Sequence, residues 1–122
     1  MALRYVLDEH LRGLLWNAIR HHNSAGINPI DVARVGDPAD LPRGTKDPSL
    51  LLWAEREDRV VVSLDRRTMP GHLSSHLAAG RHSPGIIILD PSYSLGELVF
   101  YLVLTAYACG PDELRDQVIG LP

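Results

Sequence analysis

Three aspartates, Asp8, Asp47 and Asp65, stand where carboxylates can do chemistry. Asp65 closes the run Arg59-Val-Val-Val-Ser-Leu-Asp65, and Asp8 closes Leu3-Arg-Tyr-Val-Leu-Asp8-Glu9. A continuous apolar run bounded by charge reads as a strand buried on both faces. In an open parallel sheet, ligands bind just beyond the carboxyl ends of such strands. Carboxylates gathered in one crevice repel one another unless a cation neutralises them. Oxygen-only ligation suits Mg²⁺ or Mn²⁺, with waters and a substrate phosphate completing the shell. A metal so held activates water and stabilises charge on a phosphodiester under in-line attack. Asp8, Asp47 and Asp65 are therefore candidate catalytic residues, and Asp8, Glu9, Asp47 and Asp65 candidate metal ligands.

The same residue types also have plain structural uses. Asp47 precedes Pro48, the usual pairing of a capping carboxylate with proline in the first helical turn. Glu9 suits a first-turn helix carboxylate, and Asp90 suits the turn before Ser94. Arg43, Lys46, Arg66 and Arg67 fall in loops on the same sheet edge as the acids. They read either as a phosphate-positioning rim for a substrate strand or as solvated loop charges. His72 and His76, one helical turn apart, match two-ligand zinc spacing, but no third ligand accompanies them. His21 and His22 meet a helix dipole and need no other role.

The elements that must position the acids follow from periodicity. Arg4 to Leu7 is the first strand, and a helix from Glu9 to His22 carries Leu11, Leu14, Leu15, Ala18 and Ile19 at helical spacing. Asn28 to Val35 reads as an edge strand with Pro29 at its start. Residues 36–46 form a loop longer than a parallel connection needs, and long ordered loops tend to be functional. A helix from Asp47 to about Asp58 leads into the Arg59–Leu64 strand. A short helix spans His72 to Ala79, Ile86 to Leu89 is the fourth strand, and Ser94-Leu-Gly-Glu97 is a capping box opening a long apolar helix to Cys109. Pro111-Asp-Glu predicts a terminal helix to about Ile119. The alternation predicts an α/β fold with an open, mostly parallel four-stranded sheet and helices on both faces. The flavodoxin-like order 2-1-3-4 puts the first and third strands side by side, with Asp8 and Asp65 facing one another at the switch point.

Composition sets the outer bounds. A chain of 122 residues with 45% hydrophobic and 22% charged residues reads as one soluble globular domain over residues 1–122. Asp8, Glu9 and His10 interrupt the start, so no signal peptide is expected. The apolar Leu98–Cys109 segment is too short to span a bilayer and is expected to be buried or to form a subunit contact, for instance in a homodimer. A single cysteine fits a reducing, cytoplasmic setting, and Cys109 reads as a buried thiol. At a net charge of −3, nucleic-acid binding must rest on a local basic cluster. Phosphate-loop, dinucleotide-loop and serine-hydrolase motifs are absent.

Tyr5-Val-Leu-Asp8-Glu9-His-Leu11, Lys46-Asp47-Pro-Ser-Leu-Leu51 and Val60-Val-Val-Ser-Leu-Asp65 together resemble the PIN-like nuclease domains, in particular the small group with an Asp-Glu-Asn-Leu-type start. The resemblance covers about residues 4 to 90. It implies a Mg²⁺- or Mn²⁺-dependent ribonuclease, often the toxin half of a toxin–antitoxin pair, with RNA as substrate and an antitoxin protein as partner. Asp8, Asp47 and Asp65 match the family's first acid, its helix-start acid and the acid of its Thr-x-Asp-type motif. Arg67 and Thr68 stand where the family often has a further acid and an aromatic, and His10 replaces the usual Asn. That leaves room for a catalytically silent interaction module. A phospho-acceptor receiver domain is the rival reading, with Asp8-Glu9 as the acidic pair and Asp65 as acceptor, but no strand ends in the lysine it requires.

Overall fold

The computed structural model describes residues 2–11 and 13–121. Five strands form one all-parallel sheet: β1 (Arg4–Leu7), β2 (Asp31–Arg34), β3 (Val60–Ser63), β4 (Ile86–Leu89) and β5 (Val118–Leu121). Their order is 2-1-3-4-5. The α/β class, the parallel sheet and the order of the first four strands agree with the sequence reading; the strand count does not.

Helices α1 (Leu14–Ser24), α2 (Asp47–Glu57), α3 (Met69–Ala78) and α4 (Leu95–Ala108) cover both faces. Strand residues alternate between the two layers, as period-2 geometry requires. Tyr5, Leu7, Val60, Val62, Ile87 and Leu89 pack toward α1 and α4. Val6, Val61, Ile86 and Ile88 pack toward α2 and α3. Every residue of β3 and β4 is buried, which is why these strands are apolar without alternation.

Two predicted helices are corrected. The expected helix from Glu9 is divided: Glu9–Leu11 is a single 3-10 turn, and α1 starts at Leu14 after Gly13. The expected C-terminal helix is a series of turns followed by β5. Asp116 takes a left-handed conformation, φ 60°, and reverses the chain so that Ile119 and Leu121 pack in the α1–α4 layer. Pro111-Asp-Glu looks like a helix start locally. The sheet edge left open by β4, which β5 pairs in register from Ile86↔Val118 to Leu89↔Leu121, takes the segment instead.

The last crossover differs in hand from the one before it. Both β3–α3–β4 and β4–α4–β5 step toward the same edge of the sheet, yet α3 and α4 lie on opposite faces. Two parallel crossovers with that relation have opposite hands, so one departs from the right-handed rule. The β1–α1–β2 unit steps toward the other edge with α1 on the same face as α4 and so shares the hand of β3–α3–β4, which leaves β4–α4–β5 as the unit that differs.

Near the site, α2 begins at Asp47 with Lys46 as the N-cap residue and no side-chain cap. Asp47 is therefore released from the capping role its proline neighbour suggested. The capping box at α4 is present as read: Ser94 Oγ accepts from the Glu97 N–H, and the Glu97 carboxylate accepts from the Ser94 N–H. Among the described residues, no helix is long and apolar enough to cross a membrane.

Candidate active site

Leu7 pairs with Val62, so the next residues, Asp8 and Ser63, emerge side by side from the two central strands. Asp8 is only 6% exposed and Ser63 is fully buried. One carboxylate oxygen of Asp8 accepts the Ser63 hydroxyl at 2.5 Å, and the other accepts the His10 N–H at 3.0 Å. Ser63 Oγ in turn accepts the Asp65 N–H at 3.0 Å. One hydroxyl thus ties the head of β1 to the turn after β3. Burial pushes the Asp8 carboxyl above the usual range, the bonds from Ser63 and His10 pull it down, and the charge of Asp47 adds to the rise.

Asp8, Glu9, His10, Val35, Gly44, Thr45, Lys46, Asp47, Leu50, Leu64 and Asp65 line one cleft of about 600 Å³ beyond the carboxyl ends of β1 and β3. All four predicted metal-ligand positions are there. Within it they are not equivalent. Asp65 uses its carboxylate to close the turn into α3, accepting the Thr68 hydroxyl and the N–H groups of Arg67 and Thr68, the two N–H bonds at 3.0 Å each. Those bonds, the Thr68 hydroxyl first, hold its carboxyl below the usual range. Glu9 Oε1 accepts the Gly44 N–H at 2.6 Å. Asp47 is the least committed, with His72 Nε2 3.5 Å from its Oδ2.

No family model, curated protein or solved structure matches the chain. The site must be read from its own geometry.

Among the described residues, no three His, Cys, Asp or Glu side chains stand together as a metal-binding group. Asp8 and Asp47 nonetheless face one cleft, are close enough for their charges to interact, and have no Lys or Arg ion pair among the described residues. Two hard oxygen donors of this kind fit Mg²⁺ or Mn²⁺, which are commonly held by one or two carboxylates plus waters and phosphate oxygens. Asp65 accepts three hydrogen bonds through its two oxygens, which leaves it the least room for an ion, whereas Glu9 is bonded through Oε1 alone.

The basic residues separate. Lys46 lines the cleft, whereas Arg43, Arg66 and Arg67 do not; all four are exposed. Arg66 lines a neighbouring groove with Pro70, Asp90 and β5. The two histidines with zinc spacing have different partners: His72 meets Asp47, while His76 Nε2 lies 2.8 Å from His82 O and 3.2 Å from Glu55. Asp90 accepts the N–H and hydroxyl of Ser92, the turn role its sequence suggested. Cys109 is half-buried, and burial raises its thiol pKa, so it is a poor nucleophile. Ser63, which bonds both Asp8 and the Asp65 N–H, is the cleft-end residue that the sequence motifs did not single out. Its signal was a hydroxyl two residues before Asp65 in an otherwise aliphatic strand.

Proposed function

We propose that the cleft is the active site of a metal-dependent phosphodiesterase acting on RNA. The observation that carries this reading is the convergence of Asp8, Asp47 and Asp65, from three separate stretches of chain, on one cleft at the switch point. Asp8 and Asp47 would hold a Mg²⁺ or Mn²⁺ ion, which supplies water activation and charge stabilisation on the phosphodiester when bound. Ser63 fixes the Asp8 carboxylate, so this donor does not reorient during reaction. Lys46 supplies positive charge on the cleft wall for a backbone phosphate, with Arg43 beside it in the same loop and Arg66 and Arg67 beyond Asp65.

The second reading is a PIN-like module that binds but does not cleave. It is favoured by Asp65, whose oxygens are taken up by the turn into α3, and by Arg67 in place of a further acid. In either case an antitoxin-like protein or a second copy has an apolar surface available, because Phe100, Leu104 and Tyr107 of α4 are at least half exposed. A receiver function is less well supported, since the edge strand β5 ends in Leu121 and offers no lysine.

Cleavage of labelled single-stranded RNA separates the two main readings. The nuclease reading expects Mg²⁺- or Mn²⁺-dependent products that Asp8→Asn abolishes while the fold is retained. Equal cleavage in excess chelator overturns it, and RNA binding without any cleavage selects the silent module.

A further inference from the structure

The long connection between β2 and α2 has two mechanically different halves. Its first half is fixed to the body. Leu41 is fully buried, the Gly36 N–H donates to Leu41 O at 2.7 Å, and Trp53 Nε1 donates to Asp40 Oδ1 at 3.0 Å. Arg56 also pairs with Asp40. The second half, Pro42 to Thr45, is a strap of exposed or half-exposed residues that bonds mainly to itself, with Thr45 N and Oγ both donating to Pro42 O. Among the described residues, its one hydrogen bond outside the loop runs from the Gly44 N–H to Glu9 Oε1 at 2.6 Å.

Gly44 has φ +83°, a left-handed conformation that other residues adopt only with strain, and its N–H is thereby presented to Glu9. Arg43 precedes it, and Thr45 and Lys46 follow it along the cleft wall. The glutamate is exposed, so no packing demand explains its place.

We propose that Glu9 is a positioning residue rather than a metal ligand: its carboxylate latches the Pro42–Thr45 strap and so holds Arg43 and Lys46 at the rim of the cleft. That these cations meet an RNA phosphate rests on the nuclease reading above; the latch itself does not. The side chain chemistry separates latch from ligand. Glutamine keeps an oxygen that accepts the Gly44 N–H but loses the charge a hard cation needs, whereas alanine loses both.

Limited trypsin digestion of the full chain, read by mass spectrometry, tests the latch without any catalytic activity. A charge-assisted hydrogen bond at an exposed site predicts that Glu9→Ala is cut after Arg43 about fivefold faster than wild type. Glu9→Gln should stay within about twofold of wild type, and cutting after Arg59, just before β3, should be unchanged as a control for unfolding. A second arm measures binding of a labelled single-stranded RNA in chelator. There Glu9→Ala should bind more weakly than Glu9→Gln, which removes the same charge but keeps the acceptor, and by no more than the factor lost in Lys46→Ala. No acceleration at Arg43 in Glu9→Ala, or equal acceleration in Glu9→Gln, overturns the latch. If the trypsin pattern holds but wild type neither binds RNA in chelator nor cleaves it with Mn²⁺ supplied, the latch stands and the nuclease reading falls.

Discussion

The buried carboxylate of Asp8 is held by the hydroxyl of Ser63 across the seam between β1 and β3, at 2.5 Å. The same hydroxyl accepts the Asp65 N–H, so the pair links both strand heads of the candidate site. Removing the hydroxyl leaves a buried carboxylate oxygen without its partner. Ser63→Ala is expected to cost about 1–3 kcal/mol at neutral pH, the penalty for an orphaned buried acceptor. Urea denaturation measures it, and a double-mutant cycle with Asp8→Asn should show most of the cost vanishing when the charge is gone. A neutral Ser63→Ala would mean that the bond contributes nothing.

Asp8 carries a stability cost that pH should reveal. Burial raises its carboxyl pKa in the folded chain above the unfolded value, so the native state binds the proton more tightly. Its favourable contribution is therefore fully present below the ordinary aspartate range and is lost as pH rises through the folded value. Asp8→Asn removes the buried charge and should raise the thermal midpoint at pH 7, a margin that closes on acidification toward about pH 4. Paired melting curves across that range check the sign; a variant less stable than wild type at pH 7 contradicts it.

The loop over the site is part of the core at one point. Leu41 is fully buried among Val35, Leu50, Leu51 and other residues of the α2–α3 layer. Leu41→Ala should cost about 2–5 kcal/mol, as for other buried leucines. A loss below about 1 kcal/mol in chemical denaturation would show that residues 36–41 are not anchored as described.

Gly85 should be intolerant of any side chain. Its φ is +133°, and a Cβ there would lie 2.7 Å from both Cβ and the carbonyl oxygen of Leu114. The obstruction is partly backbone, in the segment that leads into β5. Gly85→Ala should displace that segment first, so amide exchange would speed up in residues 118–121 before β1 and β3 are affected. Uniform exchange throughout the sheet would contradict this.

The central strands were legible because β3 and β4 are buried on both faces, and β1 over most of its length, and their composition says so. Asp8 and Asp65 could be placed for the same reason: each ends such a run. Residue-level chemistry was less legible. Nothing local distinguishes Asp47, which is free of capping, from Asp65, which closes a turn, because the difference depends on Lys46 serving as N-cap and on Thr68 facing back. Glu9 meets Gly44 across 35 residues of chain, a contact no local pattern encodes. β5 escaped because its four residues are chosen by an open sheet edge, after a crossover whose hand differs from its predecessor.

The central claim is that Asp8 and Asp47 together hold a divalent cation in the cleft. Mn²⁺ titration, followed by the free-ion EPR signal, tests it most directly on wild type, Asp8→Asn and Asp47→Asn. Asp47 is the sharper probe, since it caps no helix and is half exposed, so its replacement should cost no more than about 1 kcal/mol, the usual contribution of a first-turn carboxylate. The prediction is one saturable site in wild type whose affinity falls at least about tenfold in each variant, as loss of one charged ligand implies. No saturable binding in wild type, or binding indifferent to both substitutions, would contradict it.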